Sequence, residues 1–186
     1  MRYNDNMMNN TMTYDFLDGA GEVPAHQHSN GGGWVADSAQ VAASAFVGPD
    51  AKVYGNAKVY GHSTVYDNAW VFGNAEVYDN ALVYGNAWVY DNAKVYDIAW
   101  IYDNAWVCGT ARVYDNAMVY GNAMVYGNAQ VYDNASVYGN AWVYDNAWVY
   151  DNAEVFGNAE VYDNALVYGN AEVYGPPPGS MNSIGE

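Results

Sequence analysis

From Ala51 to Gly175 the chain repeats a six-residue unit, Ala-x-Val-Tyr-(Gly/Asp)-Asn, with no insertion between units. The same frame extends back through Ala45 and Ala39 to Gly33, giving about 24 hexads in all. A period this regular dictates the fold before any other property is considered, because each unit must bury its apolar residues against its neighbours. Six is an even number, so every unit keeps the same inward and outward alternation of a β-strand. Ala and Val, two residues apart, face one side. The variable residue and the Tyr face the other, and since Lys, Glu, Arg, Gln and Trp all fill the variable slot, that side meets solvent. The (Gly/Asp)-Asn pair supplies the bend, Asn and Gly being the residues that tolerate a left-handed backbone most cheaply. Each hexad is therefore a short strand plus a corner.

Composition agrees with a narrow object. A roughly spherical core is filled with large branched side chains, whereas the inward slots here offer almost only Ala and Val. The 20 Tyr and seven Trp are left for the outside. The formal charge of −16, from 21 acids against Arg2, Lys52, Lys58, Lys94 and Arg112, argues against nucleic acid or an anionic membrane as partner. Cations, neutral sugars and basic or aromatic protein surfaces are favoured instead. The single Cys108 excludes an intramolecular disulfide framework. No basic-then-apolar leader opens the chain and no apolar run reaches spanning length, so the expected location is the cytoplasm or a particle such as a virion assembled there.

The pairs Ala51/Val53, Ala57/Val59 and onward to Ala171/Val173 resemble the hexapeptide-repeat proteins, whose pattern is an aliphatic residue with a small residue two positions before it. The leader from His26 to Ala36 also looks like the start of uncharacterised bacterial and phage hexapeptide-repeat chains. The resemblance implies an all-β fold, a single-stranded parallel β-helix that is left-handed and triangular, with 18 residues per coil and about eight coils. Its handedness comes from the resemblance, since crossovers between parallel strands are normally right-handed.

A coil of 18 residues sorts the chain into columns spaced about 4.8 Å apart. Trp34, Trp70, Trp88, Trp106 and Trp142 fall on one face with Lys52, Met124 and Glu160, while Trp100 and Trp148 lie elsewhere. Lys58, Glu76, Lys94 and Arg112 share a second face, and Asp79, Asp97, Asp115, Asp133 and Asp151 share a corner. Eight coils make a prism roughly 40 Å long. The expected organisation is a cap or attachment arm over 1–32, the solenoid over 33–175, and a Pro-terminated tail over 176–186. Solenoid ends expose strand edges that a cap must cover.

The candidate contact surface is the Trp face: Trp34, Trp70, Phe72, Trp88, Tyr90, Trp106, Tyr126, Trp142 and Tyr144. Contiguous apolar surface usually marks a contact site, here for self-association, including a homotrimer, or for docking in an assembly such as a virion. A sugar is the alternative partner, because flat aromatic rings suit pyranose faces, and an adhesin is the corresponding function. The Asp column with its adjacent Asn residues has oxygen ligands of the type calcium takes, but no calcium-loop spacing. Acyltransferases of the family use a catalytic His and a loop that leaves the coil. No such loop interrupts these hexads, and His62 stands at a corner in place of Asn. His26, His28 and His62 would be the only His ligands for a metal-dependent hydratase. With Thr64 and Thr110 on different faces, no Thr row of the ice-binding kind exists. The sequence thus points to a non-catalytic structural, decoration or fibre module with no cofactor.

Overall fold

A computed structural model describes residues 12–176. From residue 34 on they form three parallel sheets, and consecutive strands in each are 18 residues apart. After β1 (Thr13–Asp15) and β2 (Glu22–Gln27), the first coil carries β3 (Trp34–Ala36), β4 (Gln40–Val41) and β5 (Phe46–Val47), one on each face. The pattern then recurs every six residues to the last strand at Glu172–Gly175. Faces one, two and three are named here after β3, β4 and β5, and each holds eight parallel strands, hence eight coils. No helix occurs among the described residues. The chain is an all-β parallel solenoid with 18 residues per coil, as the family resemblance implies.

Most strands are two residues long because the hexad leaves no more. The inward Ala and Val columns are fully buried from Ala45 to Val155 and form one continuous core. Where Ser63 replaces Ala, its hydroxyl donates to Tyr60 O at 2.8 Å and so is satisfied inside. Backbone N–H groups of each coil donate to carbonyls of the next, as in Trp88 N to Ala105 O at 3.0 Å.

The corners correct one expectation. Asn is not the left-handed residue; the position before it is. Ten repeat Asp residues from Asp67 to Asp163 have φ between 53° and 58°, and Gly fills the equivalent positions elsewhere. Asp is among the few side chains that tolerate this region, and in seven of the ten the carboxylate accepts a backbone N–H one coil on. Asp103 Oδ2 accepts Gly121 N–H at 3.2 Å, and Asp151 Oδ2 accepts Gly169 N–H at 3.0 Å. Asn is thereby free for a side-chain ladder, which runs unbroken from Asn86 through Asn104, Asn122 and Asn140 to Asn158 at 3.0–3.1 Å per step. Asn158 then donates to Pro176 O at 2.9 Å. Ile98 interrupts the neighbouring ladder, which resumes at Asn116.

Residues 12–33 cover much of the first coil. β2 pairs antiparallel with β3 and β1 with β2, extending face one by two strands. Phe16 is buried and stacks on Tyr54 at 4.9 Å, while Tyr14 stacks on Trp34 at 4.3 Å. On face three, His28 Nε2 and Asn30 Nδ2 both meet Ala45 O, at 3.1 and 2.9 Å, and Gly33 N–H donates to Val47 O. Gly31 has φ 117°, and a Cβ there would run into the Val47 backbone, so the turn needs glycine. The β4 edge on face two borders an open concavity of about 700 Å³ lined by His26, Gln40, Val41, Lys58, Tyr60 and Glu76. Of the expected tail only Pro176 is described; Pro177 to Glu186, like Met1 to Thr11, lie outside the described residues.

Candidate contact surface

The outward side of every face carries two columns, the variable residues and the Tyr residues. Tyr60, Tyr78, Tyr96, Tyr114, Tyr132, Tyr150 and Tyr168 stack continuously on face two at 4.8–5.4 Å. Face three carries a similar run from Tyr66 to Phe156. Stacking partly covers the phenols, and burial raises the pKa of Tyr102 and Tyr114 to about 12. On face one the column is Tyr54, Phe72 and Tyr90, then Cys108 in a Tyr slot, then Tyr126 and Tyr144.

All nine residues of the expected Trp surface lie on face one, but not as one open plane. Trp34 is covered by Tyr14. Trp70, Trp88 and Trp106 stack at 5.1 Å with interplanar angles of 4–6°. Lys52 Nζ lies 4.6 Å from the Trp70 ring centroid and 5.7 Å from that of Tyr14, a cation–π link between β1 and the ladder. Phe72 meets Trp88 edge-on at 6.1 Å. Trp142 follows beyond Met124, and Tyr126 and Tyr144 stack at 4.9 Å beside it.

The stacking determines what this surface offers. Parallel rings one coil apart cover each other's faces and turn their edges to solvent. A row of edges packs well against an apolar protein surface and poorly against a sugar, which needs an open ring face. Exposure grows toward the C-terminal half, where Trp106 is 36% and Trp142 42% exposed. Trp100 on face three and Trp148 on face two are as exposed, at 41% each, and were not assigned to the surface by the sequence. Their columns were readable, however: Leu82 and Met118 flank Trp100, and Leu166 follows Trp148. Tyr14 and Phe16 carry no repeat signal and only the structure shows their role.

The charged features are engaged locally. Glu76 lies 3.5 Å from Lys58 Nζ and 3.1 Å from Lys94 Nζ. Burial alone would raise its carboxyl, but the two ammonium groups outweigh it and hold the pKa below the usual range. In the Asp column, Asp97, Asp115, Asp133 and Asp151 each direct one oxygen at the backbone N–H one coil on, at 3.0–3.4 Å. His28 is buried on Ala45 O, whereas His26 Nδ1 pairs with Asp37 at 2.8 Å near the surface. His26 and His28 thus face different partners. Among the described residues no three His, Cys, Asp or Glu side chains converge as a metal site would require.

Comparison with known proteins adds to the fold. No curated protein and no solved structure matches the chain. The family model described as the YdcK beta solenoid repeat matches residues 75–91, 111–127, 119–130 and 129–145, so over these segments the chain is similar to that β-solenoid repeat.

Proposed function

We propose that this solenoid is a non-catalytic rod that assembles through its aromatic rows, as a structural, decoration or fibre component of a larger particle such as a phage virion. The observation that carries the reading is the pair of exposed indoles on face one, Trp106 at the end of the stacked row and Trp142 beyond Met124 in the same column. Exposed apolar surface in a row favours protein contact, and aromatic residues are enriched in interface cores. The uniform small-x-aliphatic hexads support the finer assignment to left-handed hexapeptide-repeat coils. A charge of −16 disfavours nucleic acid and anionic membranes as partners, and a cytoplasmic or virion setting suits the single unpaired Cys108. The acyltransferase alternative finds no loop between Ala51 and Gly175 to bind a donor.

Light scattering of the purified chain, with calcium and with a chelator, tests the reading. A trimer or larger species unaffected by calcium is expected. A monomer under both conditions contradicts self-assembly and moves carbohydrate binding forward. That second reading has a specific observation of its own, in three notches where an indole is followed one coil later by Met or Leu.

A further inference from the structure

Three small concavities share one construction. A Trp in the variable slot is followed one coil later by Met or Leu, and the corner residues before each complete the walls. They are Trp106/Met124 with Asn104 and Asn122, Trp148/Leu166 with Asn146 and Asn164, and Trp100/Met118 with Ile98 and Asn116. Their volumes are about 220, 330 and 260 Å³ respectively. After Trp70 and Trp88 the next coil supplies another indole at 5.1 Å, which fills the corresponding space. A shorter, flexible side chain leaves it open, and the indole is no longer covered by a ring on that side. The notch therefore supplies what the stacked ladder does not, aromatic surface free for a ligand.

We infer that these notches are binding sites for a neutral pyranose ring. The walls combine an indole with an aliphatic side chain, suited to the C–H face of a sugar. Asn carboxamides at the rim offer donors and acceptors to hydroxyl groups. In the two notches walled by paired Asn, the Asn104–Asn122 bond at 3.1 Å and the Asn146–Asn164 bond at 3.4 Å hold those amides in fixed orientation. No charged residue lines any of the three, although the chain carries −16 overall, so an anionic sugar is repelled at long range and gains no cation on contact. Each volume falls near or below the ~300–1,000 Å³ of a drug-sized cleft, which limits occupancy to about one ring. The notches lie on three different faces, so a free rod binds three sugars at fixed separations and a rod assembled through face one keeps the two on the other faces. Two of the three lie off face one, and the inference does not depend on assembly through that face.

The test removes the indole from the notches on faces two and three and closes the one on face one with Met124→Trp, which joins Trp106 to Trp142. Methyl glycosides of glucose, galactose, mannose and N-acetylglucosamine are titrated against intrinsic Trp fluorescence, with glucuronate as the anionic control. Saturable binding is expected for at least one neutral glycoside and not for glucuronate. Trp100→Ala and Trp148→Ala each remove the indole wall of one notch; each is expected to lower the number of sites per chain by one with circular dichroism unchanged. The combined variant with Met124→Trp is expected to bind none. Absence of saturable binding by every neutral glycoside, tighter binding of glucuronate, or a site number unchanged in both single variants overturns the inference. Trp100→Leu and Trp148→Leu, which keep an apolar side chain in each slot, give the same reading, so an Ala variant that fails to fold leaves the test intact.

Discussion

Replacing one corner residue separates the two jobs the corner performs. Asp103 lies mid-rod with φ 58°, and its Oδ2 accepts Gly121 N–H at 3.2 Å. Its own carbonyl accepts Asn86 N–H from the preceding coil, so the backbone cannot relax out of this conformation without breaking the ladder. Asp103→Gly removes the carboxylate and also removes any Cβ penalty. The lost bond is solvent-exposed and worth about 0.5–1.5 kcal/mol, and relief of the left-handed residue offsets part of it. Asp103→Ala loses the same bond and holds a Cβ in the left-handed region at a cost of about 1–2 kcal/mol. The Gly variant is therefore expected within about 1 kcal/mol of wild type. The Ala variant falls about 1–2 kcal/mol below the Gly variant. Urea unfolding followed by circular dichroism measures the order, compared as midpoints because stacked repeats need not unfold in two states. Coinciding midpoints for Ala and Gly would refute the claim that positive φ is what selects Gly and Asp here.

Three further perturbations probe other parts of the molecule. Ala105→Leu overpacks a fully buried slot in a column with no room to widen, and a loss of about 1–3 kcal/mol in urea or thermal unfolding is expected; a neutral outcome contradicts the thin core. Phe16→Ala removes the buried ring stacked on Tyr54, costing about 3–5 kcal/mol, and hydrogen exchange should speed up in the first coil well before the mid-rod coils. Burial raises Tyr54, Tyr102, Tyr114 and Tyr138 to about 12, so the folded state favours the neutral phenol. Their stabilising effect is complete below the unfolded value near 10 and is lost as pH rises from there through about 12. A fraction of the phenolate absorbance should therefore lag behind that of free Tyr until the solenoid opens, and complete titration at the free value would sink the stacked arrangement.

Much of the architecture is legible in the sequence because a uniform even period leaves few choices. Inward Ala and Val, outward Tyr, and the pairing of Trp88 with Trp106 all follow once 18 residues make a coil. The corner assignment failed at Asn because sequence tolerance does not reveal which of two adjacent polar residues takes the positive φ. That is decided by the ladder, which needs Asn104 and Asn122 aligned and gives Asp103 an amide to accept. The cap was expected by position, but its antiparallel pairing and the stacking of Tyr14 and Phe16 could not be read from a segment without period. For the candidate surface, columns were correct and ring orientation was not accessible. Only the interplanar angles show that the ladder presents edges, and only the Met and Leu gaps show where an indole is uncovered.

The claim that face one is the assembly surface is tested most directly by sedimentation velocity on two double variants. Trp106→Ser with Trp142→Ser strips the exposed indoles from face one, and Trp100→Ser with Trp148→Ser strips them from the other two faces. The account predicts that the first pair reduces the wild-type oligomer to monomer and the second leaves it assembled. Assembly that survives the first pair, or is lost only with the second, would contradict it.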